Sequence, residues 1–252
     1  MNSIDLVGKI AVVNGASRGI GEAIARSLAA CGAQVVLSSR KLEGVKKVAD
    51  SIVAEGGNAI AYACHAGHLD EIDALFEFVG NEFGRLDILI NNAATNPYYG
   101  PAAELSAEAF DKTVDVNLKG PYFMISRAVS LMAESGGGSV VNVASIAALM
   151  SWPGQAVYSM TKAGLISVTR SFAKEYGVKG IRVNAILPGV VETRLAAGLV
   201  DDPSVQKWLS RIPAGRVGQP QDMVAGVLYL VSDQAAYTTG TTLVMDGGAT
   251  LG

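Results

Sequence analysis

The chain has 252 residues, a formal net charge of −3 and two cysteines. Half of its residues are hydrophobic and 17% are charged, a balance that allows a large buried core and excludes a disordered chain. No basic cluster favours nucleic acid as a partner, no apolar run is long enough to span a membrane, and the first residues show no signal-peptide pattern. We therefore expect a cytoplasmic protein that binds neither nucleic acid nor membrane.

The first elements predict a phosphate-binding loop between a strand and a helix. The apolar run 9–14 is typical of a buried strand, a helical stripe covers 23–29, and a second strand covers 34–38. Between the first strand and the helix, the loop reads Gly15-Ala16-Ser17-Arg18-Gly19-Ile20-Gly21. Glycines in this context let the backbone approach a pyrophosphate, and the helix N-terminus offers N–H donors to it.

The end of the second strand predicts which dinucleotide is bound. An acidic residue there would hydrogen-bond the ribose hydroxyls of NAD, but the run 37–41 contains none. Arg40 can instead pair with a 2′-phosphate, Ser39 can donate a hydrogen bond to it, and Arg18 can reach it from the glycine loop. The pattern favours NADP(H) over NAD(H).

The next elements continue the alternation of helices and strands. Apolar periodicity predicts helices in 42–52 and 72–79 and strands over 58–63 and 86–90. His65 follows the third strand, where contact with an adenine ring is one interpretation. His65 and His68 are the only histidines and lack a third ligand nearby, so we expect no metal site. The run Asn91-Asn92-Ala93-Ala94 ends the fourth strand, where small and amide side chains suit a ligand.

The second half of the chain predicts the remaining strands and helices. A long helix is expected over 106–132, and it contains Asn117, an amide that a helix interior disfavours unless the amide has a role. Strands are expected over 138–143, 181–187 and 241–246, with helices beginning near residues 155 and 223. Since no linker or composition shift divides 1–252, we predict a single α/β domain of the doubly wound (Rossmann) type. Its seven-stranded parallel sheet would carry helices on both faces.

Tyr158 and Lys162 lie one helical turn apart, on the same face of the helix that begins near Gln155. A lysine cation about 4 Å from the phenol, at an effective dielectric near 20, would favour the phenolate by roughly 4 kcal/mol, or about three pKa units. We therefore expect the pKa of Tyr158 to be lowered and Tyr158 to act as a general acid–base.

Jointly these motifs resemble the short-chain dehydrogenase/reductase family over nearly the whole chain. The residues that carry the resemblance are Gly15-x-x-x-Gly19-x-Gly21, Asn91-Asn92-Ala93, Asn117, Ser145, Tyr158-x-x-x-Lys162, Pro188-Gly189 with Thr193, and Asp246-Gly247-Gly248. Within the family, the runs 37–41, 64–65 and 91–97 are similar to the NADP-dependent carbonyl and retinal reductase branch.

The resemblance implies a catalytic role for four residues. Tyr158 would protonate the carbonyl oxygen, Lys162 would lower the pKa of Tyr158 and bind the nicotinamide ribose, and Ser145 would hold the substrate oxygen. Asn117 would hold a water that relays protons to Lys162. The implied catalytic residues are therefore Asn117, Ser145, Tyr158 and Lys162.

The resemblance also implies how the cofactor is held. Val191, through its backbone, and Thr193 would bind the nicotinamide carboxamide. Many members have Asp where His65 stands, so the backbone amide of Ala66 is the alternative contact to adenine. The full expected cofactor set is Gly15, Ser17, Arg18, Gly19, Ile20, Gly21, Ser39, Arg40, His65, Ala66, Asn92, Ala93, Tyr158, Lys162, Val191 and Thr193.

Aromatic and apolar residues around this site predict a pocket for a bulky apolar ketone or aldehyde, although packing explains any one of them equally well. They are Tyr98, Tyr99, Met150, Trp152 and the stretch 195–209, which includes Trp208. Residues 201–203 are expected in a mobile lid. The helices of Asn117 and Tyr158 are apolar nearly all round, and the resemblance implies a homotetramer built through them.

The leading hypothesis is an oxidoreductase that transfers a hydride between NADP(H) and a small-molecule carbonyl or secondary alcohol. One alternative is a reductase of 3-oxoacyl thioesters carried by acyl-carrier protein, for which this mildly acidic chain offers no obvious basic patch. Another, from a different class, is a non-catalytic NADP-binding sensor or scaffold, which the intact set of four catalytic residues argues against.

Overall fold

A computed structural model describes residues 4–194 and 208–251. At its centre is one sheet of seven parallel strands in the order β3-β2-β1-β4-β5-β6-β7. The strands are β1 Ile10–Asn14, β2 Gln34–Ser39, β3 Asn58–Ala63, β4 Ile88–Asn91, β5 Gly138–Val143, β6 Ile181–Pro188 and β7 Thr242–Met245.

Helices connect the strands and cover both faces of the sheet. Within the described residues they are α1 Gly19–Ala30, α2 Leu42–Ala54, α3 Leu69–Phe83, α4 Ala107–Val114, α5 Gly120–Glu134, α6 Ala156–Tyr176 and α7 Val224–Val231. This is the doubly wound parallel architecture, and the predicted fold class is confirmed.

Alternate residues of each strand enter different cores, which explains why the strands read as continuous apolar runs. Val13 and Val35 belong to the core with Leu28 of α1. Val12 and Val36 belong to the opposite core, where α3, α5 and α6 supply the facing side chains. Because both faces of the inner strands are buried, a polar side chain there needs hydrogen-bond partners, as Asn184 in the middle of β6 has with Thr238 and Thr241.

One predicted element is wrong in its continuity. The single helix expected over 106–132 is divided between α4 and α5 by a wider π-helical turn, Asp115–Lys119. At the end of this turn, the backbone N–H of Gly120 bonds to the carbonyl of Asp115. The turn contains Asn117, whose side chain bonds to the backbone of Thr95 instead of facing solvent. The interruption therefore has a tertiary cause that a helical periodicity does not reveal.

The strand order places a crevice at one edge of the sheet. The chain runs from β1 outward to β3 on one side and from β4 outward to β7 on the other, so the order reverses between β1 and β4. Register aligns Asn14 at the end of β1 with Asn91 at the end of β4, and Asn91 with Asn142 of β5. In open α/β sheets, ligands bind beyond the carboxyl ends of the strands at such a point.

Candidate active site

A cavity of about 900 Å³ lies at this edge, and segments that follow six of the seven strands form its walls. The predicted site residues in those walls are Gly15, Ser17, Arg18, Gly19, Ile20, Ser39, Arg40, His65, Ala66, Asn92, Ala93, Ser145, Tyr158, Lys162, Val191 and Thr193. Two predicted residues, Gly21 and Asn117, lie behind the walls and are buried. The other predicted residues therefore share one continuous surface.

The glycine loop is pressed against the end of β4. Gly15 has a φ of +74°, and a Cβ atom there would lie 2.7 Å from the Ala93 backbone. At Gly21, a Cβ atom would clash with the carbonyl oxygen of Gly15, the same oxygen that accepts a 2.9 Å hydrogen bond from the Asn92 side chain. A loop this tight, directly before α1, fits the close backbone approach that a dinucleotide pyrophosphate requires.

Arg18 and Arg40 are two of several exposed cations in the cavity wall, which also include Lys41, Lys112 and Arg194. Arg18 and Arg40 form no ion pair with any described residue, whereas Arg26, Arg127 and Arg216 each bond to a carboxylate. The Ser39 hydroxyl donates to the carbonyl of Lys41 over 3.0 Å, so its oxygen rather than its hydrogen is free. The expected donation from Ser39 therefore requires rotation of this hydroxyl. As far as the described residues go, both guanidinium groups are therefore available to an anionic ligand.

His65 is half-buried beside the same part of the cavity. Its ring stacks on that of His68 with centroids 4.1 Å apart, and its Nδ1 accepts the Gly67 backbone N–H over 3.1 Å. Burial, assisted by His68, lowers the pKa of His65, so the ring is neutral near pH 7. None of the hydrogen bonds in the described part of the chain uses the backbone N–H of Ala66. Both alternatives for contacting adenine therefore remain open to a ligand.

Tyr158, Lys162 and Ser145 converge on the opposite half of the cavity. Lys162 is only 2% exposed, and its Nζ donates to the carbonyl of Val143 at the end of β5 over 2.8 Å. The same Nζ lies 5.6 Å from the centre of the Tyr158 ring. Ser145 follows β5 directly and precedes a short turn, and its Oγ accepts the N–H of Ala147 over 3.1 Å. A phenol, an ammonium and a hydroxyl thus share one wall.

The expected lowering of the Tyr158 pKa is wrong for this structure. Burial raises the pKa of Tyr158 to about 12, and the interaction with the Ser145 hydroxyl opposes this only in part. Burial also lowers the pKa of Lys162 to about 8. The expectation assumed an ammonium about 4 Å from the phenol. Here the ammonium is turned toward the Val143 carbonyl, and desolvation of the phenolate outweighs its attraction.

Asn117 sits beneath this wall as a clamp. Its Oδ1 accepts the N–H of Thr95 over 2.8 Å, and its Nδ2 donates to the carbonyl of Thr95 over 2.8 Å and to Thr161 Oγ1 over 3.3 Å. Both polar atoms of its side chain are thereby engaged with protein groups. The clamp fixes the loop after β4 against α6, and the predicted water relay through Asn117 stays a prediction.

The segment after β6 supplies the remaining predicted contacts. Val191 is buried and pairs with Gly218 as a short parallel bridge, so its backbone position is fixed. Thr193 is half-buried, lines the cavity, and its methyl group lies 3.3 Å from where a Cβ of Gly19 would stand. Thr193 therefore lies in the cavity wall next to the glycine loop.

The predicted apolar pocket is present in part. Met150, Trp152 and Trp208 line the cavity, and the two indole rings meet edge to face with centroids 5.4 Å apart. Tyr98 lines a small adjoining cavity, whereas Tyr99 is half exposed and packs near Gly154. Residues 195–207, including the segment 201–203 expected as a lid, lie outside the described residues.

Asn96 and Gln155 are among the wall residues that the sequence did not identify as site residues. Asn96 and Gln155 line the main cavity and also the small cavity next to Tyr158. Gln155 stands one helical turn before Tyr158, a spacing that signals the same helix face. Asn96 carries no comparable signal, because its approach to α6 depends on how the loop after β4 folds.

Residues 4–194 and 208–251 contain neither a metal-binding cluster nor a membrane-spanning helix. No group of three or more His, Cys, Asp or Glu side chains in these ranges is arranged to hold a metal ion. In the same ranges, no helix is long and apolar enough to cross a membrane.

Comparison with known proteins gives consistent matches over the whole chain. The family model described as enoyl-(acyl carrier protein) reductase matches residues 15–250. Dehydrogenase/reductase SDR family member 4 of Oryctolagus cuniculus is 38% identical, over 97% of this chain and 94% of that protein. L-Rhamnose 1-dehydrogenase (NAD(P)(+)) of Azotobacter vinelandii is 41% identical, over 96% and 97%.

A solved structure also matches over nearly the whole chain. The gluconate 5-dehydrogenase of Burkholderia cenocepacia, in complex with NADP and tartrate, superimposes with a TM-score of 0.94. It is 30% identical, and the match covers 98% of this chain and 97% of that one.

Proposed function

Because the chain belongs to the short-chain dehydrogenase/reductase family, we propose that it transfers a hydride between NADP(H) and a carbonyl or secondary alcohol. The observation that carries the proposal is the shared wall of Ser145, Tyr158 and Lys162, which faces the same cavity as the glycine loop. A proton donor and a dinucleotide site in one cavity are the two requirements for reducing a carbonyl group.

The side chains divide the proton chemistry among them. When bound, the nicotinamide would supply the hydride in the reductive direction. Tyr158, whose pKa is raised to about 12, carries its proton at neutral pH and gives it to the substrate oxygen. The Ser145 hydroxyl holds that oxygen beside the phenol. Lys162 is buried next to the ring, so its cation stabilises the phenolate that remains after transfer.

The finer assignment of NADP(H) rests on Arg18 and Arg40. We expect a higher kcat/KM for NADPH than for NADH, since two unpaired guanidinium groups favour a 2′-phosphate. Arg40→Asp should shift the ratio of the two kcat/KM values toward NADH by about tenfold or more, because it replaces attraction with repulsion. Lys179→Asp, a charge reversal at an exposed residue outside the cavity, is the matched control. A wild-type preference for NADH would contradict this assignment.

Tyr158→Phe tests the reaction itself. The variant should lose nearly all NADPH oxidation across aromatic ketones, dicarbonyls, retinal and 3-oxoacyl thioesters, because the ring remains but the proton donor is gone. NADPH binding, followed by cofactor fluorescence, should persist. Substantial residual reductase activity would remove Tyr158 from the role, and binding without turnover by the wild type would favour the sensor or scaffold.

A second candidate reaction is reduction of a 3-oxoacyl thioester bound to acyl-carrier protein. It draws support from the matching family model only in that its description also names an acyl-carrier-protein reductase, one of enoyl groups. The 3-oxoacyl thioesters in the set of carbonyl compounds named above distinguish this reaction from the reduction of free ketones. A wild-type enzyme that turns over 3-oxoacyl thioesters far faster than free ketones would favour this reaction.

We further propose that the protein works as a cytoplasmic homotetramer. Support comes from apolar side chains left exposed on three adjoining helices: Phe110 of α4, Tyr122 of α5 and Met160 of α6. Such a patch is typical of a surface covered by another subunit.

A further inference from the structure

We propose that Asn96 and Gln155 form a polar subsite beside Tyr158 that binds a hydroxyl group of the substrate. The substrate class is then a ketone with a free hydroxyl on a neighbouring carbon, or the corresponding vicinal diol in the oxidative direction. This inference rests on the proposed function and narrows the substrate class of the same site.

Gln155 is the strongest observation. It is only 6% exposed, yet its carboxamide forms no hydrogen bond with any described residue. It stands at the N-terminus of α6 without capping that helix. Unlike Ser159 Oγ, which is fully enclosed and has no partner, the side-chain amide atoms of Gln155 are not fully enclosed. They therefore remain accessible from the cavity that the residue lines. A carboxamide held in this way has its donor and acceptor available for a ligand.

Asn96 supplies a second carboxamide on the facing loop. It is half-buried, follows the Thr95 backbone that Asn117 clamps, and likewise has no hydrogen-bond partner among the described residues. Asn96 and Gln155 therefore line the same part of the cavity although they are 59 positions apart in the chain. The position of Asn96 is fixed by the clamp rather than by its own contacts.

Asn96, Gln155 and Tyr158 also line a small cavity of about 10 Å³, and the main cavity has the same three residues in its wall. This volume accommodates roughly one water-sized group. Tyr98 and Thr113 also line the small cavity, but their hydroxyl groups donate to the carbonyls of Pro101 and Ala109. A single substrate hydroxyl therefore fits there in size, and the two amides offer it both an acceptor and a donor.

The charge of the subsite selects a neutral group. A carboxylate at this position would require a cation, but the Lys162 ammonium already donates to Val143 and does not line the small cavity. A methyl group would displace water from both amides and leave them without a hydrogen-bond partner. Beyond this subsite, Trp152 and Trp208 offer an apolar surface for the rest of the substrate.

Two ketones of nearly equal shape test the subsite, 1-hydroxy-2-butanone and 3-pentanone, which differ by a hydroxyl in place of a methyl group. With NADPH, the wild type should show a kcat/KM about tenfold or more higher for the hydroxylated ketone. Gln155→Leu should reduce this ratio by about fivefold to tenfold, because one neutral hydrogen bond is lost. Asn96→Ala should reduce it in the same direction, and it provides a second test if Gln155→Leu folds poorly.

Gln221→Leu is the matched control, since Gln221 is exposed and outside both cavities. It should leave the ratio unchanged. Equal kcat/KM values for the two ketones in the wild type, or a preference that survives both Gln155→Leu and Asn96→Ala, would overturn the subsite while leaving the reductase intact. If no ketone of any class supports NADPH oxidation by the wild type, the proposed function is overturned, and the subsite with it.

Discussion

Lys162 shows what burial does to a single ionisable group. It is among the largest side chains that solvent barely reaches, and no carboxylate pairs with it in the described ranges. Its polar contact is the 2.8 Å hydrogen bond to the Val143 carbonyl. Burying a lysine with so little compensation costs stability, which explains its lowered pKa. A cost of this kind is typical of a residue kept for chemistry rather than for folding.

The pKa of Lys162 predicts how stability depends on pH. It falls from 10.5 to about 8 on folding, which corresponds to a destabilisation of up to about 3 kcal/mol near neutral pH. Between these two values the unfolded chain binds the proton and the folded chain does not, so this group makes stability rise with pH. Lys162→Met should therefore be more stable than the wild type at pH 7, and the gap should narrow from pH 8 upward.

Urea unfolding of both proteins at pH 7 and pH 9, at one protein concentration, measures the gap. Cys64 and Tyr158, whose pKa values are raised to about 12, affect both proteins alike. A variant that is less stable at pH 7, or a gap that does not change with pH, would contradict the prediction.

At the scale of one element, the π-helical turn joins two segments that are distant in sequence. Its Asn117 side chain bonds to both backbone polar groups of Thr95, which places the following residue, Asn96, at the cavity. A regular α-helix through this stretch would rotate every later side chain of α5 relative to α4. The turn therefore sets the position of the loop after β4 as well as the direction of α5.

Asn117→Ala is expected to lower both stability and activity. The loss of three hydrogen bonds should cost about 2–4 kcal/mol, and kcat/KM should fall because the loop after β4 loses its anchor. Asn184→Ala is a matched control, since Asn184 is also fully buried and bonds to Thr238 and Thr241 with Nδ2 and Oδ1, far from the cavity. Denaturation and steady-state kinetics separate the effects. If Asn184→Ala reduces kcat/KM as much, Asn117 acts only through general stability.

For the whole molecule, the exposed apolar patch on α4, α5 and α6 has no covering element within the described chain. Phe110 is 40% exposed, and Tyr122 and Met160 are each 45% exposed. The ring of Tyr122 already packs edge to face on Phe172, so the patch continues the core outward. A surface of this kind is stable in water when another subunit covers it.

The double variant Phe110→Lys/Tyr122→Lys should dissociate the proposed tetramer, because like charges would face each other across a symmetric interface. Light scattering at micromolar concentration should give a tetramer for the wild type and a smaller species for the variant. Tyr237→Lys, at a fully exposed aromatic residue outside the patch, should not change the mass. A monomeric wild type would contradict the proposal.

The sequence by itself determined the sheet and the local parts of the site. All seven strands were predicted to within about two residues, because strands buried on both faces read as short apolar runs between glycines and polar turns. The glycine loop and the Tyr158–Lys162 pair were also accessible, since both depend on spacings within one turn or one helix. Spacings within one turn or one helix do not depend on how the rest of the chain folds.

Only the tertiary structure decided the properties that depend on distant segments. The pKa of Tyr158 is raised, although the sequence predicted that it would be lowered. The helix spacing indicated that Tyr158 and Lys162 are close, but it could not indicate that the phenol is buried or that the Lys162 ammonium faces the Val143 carbonyl. The π-helical turn at Asn117 followed from bonds to Thr95, 22 positions earlier. The approach of Asn96 to Gln155 likewise exists only once the loop after β4 rests on α6. Desolvation and contacts between distant residues are set by the folded surroundings, and no periodicity in the sequence encodes them.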